Sequence, residues 1–447
     1  MNRRHFLHAG AALLSAGCSN KPKSETTLDA GIEVDAAPAP IDANFDATPD
    51  GQLETPDAAK VIETDDDFPP WPGTDSSESI TTMLMFRGNA KRNFHGVGKL
   101  GNKLALKWRH KTKALHIDAA NGPHYWTGTG WTGQAVKWGR RVFFGSLDGR
   151  FYCLDAEGGD VIWTHKTQRM FKSSPCFYDG KLYVGNVDNY LRAIDARTGA
   201  LAWKLNMKSD CDSSPLVHGG VLYAGSESGF LHALNPQTGK PIFKLDLGGH
   251  KGPGGSQGIE SSPAIADGEL WASTYDGVLY RIDLKTQKVI SKIPTGDDTD
   301  ASPVLTDDAV YAAAEQKSPI LLCIDRKTEK QRWSFRAEGG FWSTPAIVQG
   351  RVYIGCDDHR MVCLDEKTGA LVWQTSTGRA VWSSPCVVDG KVVFGSYDGF
   401  LYMLEAETGK ELFRHDLEGP VLSTACIVDG WVYIGSGDGH FYAFASV

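Results

Sequence analysis

A short phrase, Ser-Ser-Pro or a close variant, returns along this chain at a nearly constant interval. Its third position falls at Ala135, Pro175, Pro215, Pro263, Pro303, Pro345, Pro385 and Ala425, with spacings of 40, 40, 48, 40, 42, 40 and 40 residues. A period of this kind means one supersecondary unit repeated, each copy burying its apolar face against the next. The chain therefore holds eight units.

Inside a unit the apolar residues alternate in runs such as KLYVG and YLRAID, bounded by turn pairs. That is strand patterning. Asp-Gly recurs in two columns, at Asp179, Asp267, Asp389 and Asp429 and at Asp148, Asp276, Asp398 and Asp438. The pair takes the positive φ of a two-residue hairpin, so each unit reads as an antiparallel meander of four strands. About forty residues per four strands is the spacing of a β-propeller blade. The eighth unit reaches Val447 with three strands, and the missing one is expected upstream. Fourth strands carry an aromatic residue eight positions after the turn opens, at Trp163, Trp203, Phe243, Trp333, Trp373 and Phe413, with Ser291 breaking the column. The segment 104–110 offers Trp108 in the same setting, which predicts an all-β, eight-bladed propeller closed by an N-terminal strand. Closure would remove the sheet edges that invite pairing with other chains.

The turns DARTGALAW, DEKTGALVW and EAETGKELF resemble the tryptophan-docking repeat of the PQQ-like propeller superfamily, and MFRGNAKRNFHGVG, residues 85–98, resembles the lead-in of its stand-alone members. The likeness runs from about Met85 to Val447. It implies a fold in which an outer-strand Trp packs on the turn of a neighbouring blade. Its functional reach is broad, since the superfamily includes quinoprotein dehydrogenases and the propeller lipoprotein of the outer-membrane β-barrel assembly machinery.

Residues 1–18 read as a lipoprotein signal: Arg3 and Arg4 precede a short apolar run, and LLSAGC ends at Cys18, the expected lipidation site. The run is too short to span a bilayer. NRRHFL also resembles a twin-arginine export signal, and Ser19 suggests outer-membrane retention facing the periplasm. Residues 19–82 read as a disordered tether. From Asp29 to Asp67 there are twelve acidic residues and one basic, so the net −8 of the chain leaves +3 for the remainder. The tether has too little apolar content to fold, and its charges extend it. The propeller, 83–447, carries no basic stripe of the kind nucleic acid requires. It is expected to be monomeric. Of nine cysteines none forms Cys-x-x-Cys, which leaves zinc ribbons and c-type haem unsupported. Cys153 with Cys176 and Cys363 with Cys386 share one separation and could pair in an export compartment, although inert core thiols fit the repeat columns better.

Columns that vary between units carry the functional signal. Immediately before the triplet the units read Thr132, Lys172, Asp212, Glu260, Asp300, Trp342, Trp382 and Leu422. These positions should ring one mouth of the channel, with charge on four consecutive blades and indoles on the next two. Polar groups facing aromatic surface in a concavity form a common ligand-site pattern, and Lys172, Asp212, Glu260, Asp300, Trp342 and Trp382 are the candidate site. Solvated turns with an indole plug would show the same pattern. Two long connections lead into the same mouth, residues 114–130 with His116, Asp118, His124, Tyr125 and Trp126, and residues 248–258 with His250 and Lys251. Long loops on a rigid scaffold often carry binding residues. No catalytic or metal-spaced motif stands out. The resemblance raises a PQQ-dependent dehydrogenase, with a quinone on Trp and Ca²⁺ on carboxylates, but the adjacent-cysteine pair of those enzymes is absent. The expectation is a non-catalytic scaffold without PQQ or Ca²⁺, which either docks a periplasmic or outer-membrane protein, as in outer-membrane protein assembly, or captures a cationic or sugar-like ligand or a partner's side chain at the acidic-aromatic mouth.

Cys18→Ser is expected to release the mature protein from membranes, checked by fractionation. Labelled fatty acid should enter the wild-type chain and not the variant, and its absence from both would refute the anchor.

Overall fold

The computed structural model describes residues 82–112, 115–119, 122–126, 133–248, 258–315 and 319–447, with backbone only for 115–119 and 122–126. Among them are eight four-stranded antiparallel sheets and one two-stranded sheet, and no α-helix. The eight sheets are propeller blades. The first runs through Val136–Trp138, Arg141–Gly145, Arg150–Asp155 and Val161–Lys166, innermost strand first. The eighth is composite: Cys426–Val428, Trp431–Gly435 and His440–Ser446 are completed on the outside by Leu104–Lys111. In that pairing Leu104 lies opposite Ser446 and Lys111 opposite His440, so the expected closure is present.

The repeated triplet has a hydrogen-bonding reason. Its second residue passes a bond from blade to blade around the channel: the amides of Gln134, Ser174, Ser214, Ser262, Ser302 and Thr344 donate to the hydroxyls of Ser174, Ser214, Ser262, Ser302, Thr344 and Ser384, at 2.8–3.0 Å. Blades seven and eight are joined differently, by Ser383 Oγ donating to the Ser423 carbonyl at 2.7 Å, and blades eight and one by the amide of Thr424 donating to the carbonyl of Gly133. The first serine works within its own blade in four units, as when Ser343 Oγ donates to the Gly355 carbonyl and accepts from the Gly355 amide, whereas Ser213 and Ser383 donate to the carbonyls of Ser261 and Ser423 in the next blade. Buried backbone groups must be paired, and a small hydroxyl residue meets this need without filling the channel.

The outer strands use a second repeated contact. Trp108, Trp163, Trp203, Trp333 and Trp373 donate from the indole nitrogen to a carbonyl in the next blade's turn, at 2.8–3.2 Å. Each ring also covers a glycine of that turn. A Cβ at Gly159, Gly199, Gly239, Gly369 or Gly409 would come within 2.5–2.7 Å of the indole, and φ there is +66 to +79°. Tryptophan and glycine are therefore one unit written in two repeats. Where the next turn carries Gln287 or Glu329 at positive φ instead, the facing residue is Phe243 or Ser291. Ser291 breaks the column because it donates to Glu329 Oε2 at 2.7 Å, and Arg281 holds the other oxygen at 2.8 Å.

The two Asp-Gly columns form different turns. Asp179, Asp267, Asp389 and Asp429 share positive φ with the glycine that follows, as the hairpin reading requires. In the other column only the glycine has positive φ, and the aspartate caps the turn, as Asp148 does by accepting from the Arg150 amide at 2.9 Å. The hairpin expectation is corrected there.

The lead-in segment fills the channel, which its sequence did not announce. Backbone amides of four inner strands, at Lys137, Phe177, Ile265 and Leu305, donate to the carbonyls of Met83, Leu84, Ala90 and Lys91. Arg87 and Arg92 are fully buried at φ 56° and 62°. Arg87 donates to the carbonyls of Thr344, Pro345 and Pro385, and Arg92 to those of Pro263, Phe86 and Ser214. These guanidiniums are solvated by carbonyl dipoles rather than paired with carboxylates. Burial lowers both pKa values to about 10, and both remain charged.

Gly409→Ala and Gly390→Ala test the docking contact. Both glycines have φ near +70°, but only the first lies under an indole. Gly409→Ala is expected to cost about 1–3 kcal/mol more in denaturant unfolding; equal losses would show that the indole contributes nothing.

Candidate functional site

Three repeat columns converge on the mouth. One is the position before the triplet. The second lies two residues earlier, and the third opens the turn after the second strand, reading Leu147, Val187, Glu227, Tyr275, Glu315, Asp357, Tyr397 and Gly437. A backbone bond joins the last two columns in seven blades, including the amide of Glu227 to the carbonyl of Asp210 and that of Glu315 to Asp298, both at 3.0 Å. In blades three and five all three columns are acidic: Asp210, Asp212 and Glu227, then Asp298, Asp300 and Glu315. Blade four adds Glu260 between them. Asp210, Glu227, Asp298 and Glu315 were missed from sequence: the repeat spacing aligns these two columns but does not say that they meet the first.

Lys172, Asp212, Glu260, Asp300, Trp342 and Trp382 line one cavity, of about 50 Å³, and Phe86 of the channel segment also lines it. Asp212 and Trp342 are each 8% exposed and the other four candidates are half-buried, so these are not freely solvated turns. Lys172 Nζ donates to Asp212 Oδ2 at 2.7 Å. Burial alone would lower the Lys172 pKa, but Asp212 and Glu260 raise it above the ordinary value. The carboxyls move upward. Burial, then Asp212, raises Asp210 to about 6 and Glu227 to about 8. Burial likewise raises Glu260, Asp300 and Glu315 well above the carboxylate range, reinforced by one another and by Asp298.

The aromatic side is self-partnered. Trp342 and Trp382 stack at 4.4 Å with an 8° interplanar angle, and Tyr397 meets Trp382 edge-on at 5.2 Å. Trp382 Nε1 donates to Asp357 Oδ1, and the Arg379 guanidinium lies 5.5 Å over the Tyr397 ring. The sides of the two indoles that face each other are mutually covered, so no ring can lie between them, and a cavity of about 50 Å³ suits a few water-sized occupants.

Of the loop candidates, residues 115–119 and 122–126 pair as a separate hairpin with His116 opposite Tyr125, Ile117 opposite His124 and Asp118 opposite Pro123. Trp126 lies opposite Leu115. The hairpin sits in the connection that leads into blade one. His250, Lys251 and Cys18 lie outside the described residues. The eight described cysteines are buried and unbridged, so neither proposed pair forms a disulfide.

Eight four-stranded blades joined by a triplet ring and docked indoles define a PQQ-like propeller. The family described as outer membrane protein assembly factor BamB matches residues 107–335, 292–380 and 357–447, and the chain belongs to that family. No curated protein matches it. Among solved structures, a europium-containing methanol dehydrogenase is 14% identical with a TM-score of 0.68, over 82% of this chain and 98% of its own. A quinohemoprotein alcohol dehydrogenase from Comamonas testosteroni is 14% identical with a TM-score of 0.67, over 82% and 80%. BamB from Moraxella catarrhalis is 16% identical with a TM-score of 0.51, over 77% and 100%. At such identities the likeness is one of fold.

Carboxyls with raised pKa hold protons in the folded state that the unfolded chain has already released. Folding stability should therefore fall as pH rises from the ordinary carboxyl range near 4 through about 8, the value for Glu227. In chelator, Glu227→Gln should melt a few degrees above wild type at about pH 9 and equally at about pH 4. A difference independent of pH would show that Glu227 is not held protonated.

Proposed function

We propose that this protein is a non-catalytic envelope lipoprotein whose propeller docks a protein partner on its mouth face, in outer-membrane protein assembly. Family membership supports an assembly role. The rim of Trp342, Trp382 and Tyr397 beside the acidic arc carries the site reading. Trp382 and Tyr397 are half-buried aromatic side chains with polar tips and suit a partner segment laid across them, with the buried Trp342 stacked against Trp382. The channel behind holds the segment that includes Phe86, Arg87 and Arg92, so the mouth is a blind recess and the partner binds on the face. The acidic stretch from Asp29 to Asp67, between Cys18 and the propeller, is part of this reading as the tether of a lipid-anchored protein.

The second reading, a quinoprotein oxidoreductase using the channel carboxylates, draws on the fold likeness to the two dehydrogenases. Crosslinking and affinity purification of the intact lipoprotein from its native envelope, with wild type and Trp382→Ala/Tyr397→Ala in parallel, tests the docking reading. The double variant should lose the co-purifying envelope protein while its melting transition persists. Equal recovery of the same partner would refute docking on the rim. Pyrroloquinoline quinone with Ca²⁺, added to purified wild type, should give no dye-linked alcohol oxidation; turnover lost in Asp300→Asn would establish the second reading instead.

A further inference from the structure

The two acidic groups of the mouth are not equivalent. The blade-three group has Lys172, whose ammonium bonds Asp212. On the blade-five side, no Lys or Arg among the described residues makes an ion pair with Glu260, Asp300 or Glu315. Asp298, Asp300 and Glu315 nevertheless bring one carboxylate oxygen each within 4.8 Å of the others. Asp300 also lies within hydrogen-bonding reach of Glu260 on the neighbouring blade.

Protons shared between carboxyls would relieve part of this repulsion, but they leave lone pairs over. Glu315 is only 4% exposed, and its Oε1 is buried and accepts no hydrogen bond; Asp300 Oδ1 is buried and equally unsatisfied. A buried carboxylate oxygen without a donor is costly. It is satisfied by a cation that binds several oxygens at once. The donors are all oxygens, several are anionic, and they come from two neighbouring blades. That set suits a hard cation with six to eight oxygen ligands, the remainder supplied by water, and lacks the soft or imidazole donors that favour zinc or copper.

We propose that the blade-five side of the mouth binds a hard divalent cation of the Ca²⁺ class through Asp298, Asp300 and Glu315, with Glu260 as a further oxygen donor, and that it does so without a quinone. This revises the sequence expectation of no Ca²⁺ and keeps the expectation of no PQQ. The stacked indoles beside it admit no ring between them, and water or a partner's oxygen takes the outward positions. The inference is independent of partner docking.

Full-length protein in detergent, stripped with EDTA, is titrated with Ca²⁺ by calorimetry and with Tb³⁺ by luminescence excited through tryptophan, since Trp342 and Trp382 line the same cavity as Asp300. The expected result is one saturable site, competition between the two ions, and a Ca²⁺-dependent rise in melting temperature, all with no quinone added. Glu315→Gln and Asp300→Asn should each weaken Ca²⁺ by about tenfold or more, and Glu227→Gln by less than about threefold. The variants lose repulsion as well as a ligand, so their melting temperature in EDTA should match or exceed wild type, which separates lost binding from lost folding. The acidic stretch from Asp29 to Asp67 is common to all these proteins, so binding retained at full strength in both blade-five variants belongs elsewhere and overturns the proposal. Absence of saturation up to millimolar Ca²⁺, or saturation that requires pyrroloquinoline quinone, overturns it too.

Discussion

Every innermost strand of this ring turns an edge of unpaired backbone toward the channel, and the molecule depends on how those edges are satisfied. In blades two to seven the second residue of the triplet supplies a hydroxyl to the preceding blade's amide. Deeper in the channel the segment from Met83 to Lys91 adds its own carbonyls, and Arg87 and Arg92 reach five different carbonyls of the surrounding blades. An aliphatic plug would leave those carbonyls unsatisfied. Two guanidiniums, each with five donors in a fixed fork, suit a ring of acceptors pointing inward.

The same segment determines the depth of the mouth. Phe86 lines the recess together with the candidate side chains, so the carboxylates and indoles stand at the top of a blind cavity. Burial there raises the pKa values of the acidic groups above the ordinary carboxylate range. At the position before the triplet, charge and rings are segregated by blade: blades three to five are acidic and blades six and seven aromatic. A rim of this kind offers a partner two different chemistries side by side.

Much of the fold was legible because a repeat reports the same structural decision eight times. The triplet, the turn glycine and the outer tryptophan each recur at a fixed offset, and the absent fourth strand of the last unit pointed to the segment containing Trp108. Exceptions were legible only after folding. Ser291 interrupts the tryptophan column because Glu329, in another repeat, replaces the glycine that an indole would cover. The two Asp-Gly columns look alike as letters and differ as turns, because one is a two-residue hairpin and the other is closed by side-chain capping.

The candidate site divides in the same way. Sequence placed Lys172, Asp212, Glu260, Asp300, Trp342 and Trp382 at one mouth, since a column of the repeat is a ring in space. It determined the eight blades, their closure and the segregation of charge from aromatic residues around the ring, all of which follow from periodicity and local turn chemistry. Tertiary structure alone decided that Glu227 and Glu315, from a separate column, meet Asp212 and Asp300, that the indoles stack on each other, and that Arg87 and Arg92 close the channel. Those outcomes depend on distances between segments far apart in the chain, and periodicity carries no information about which columns touch.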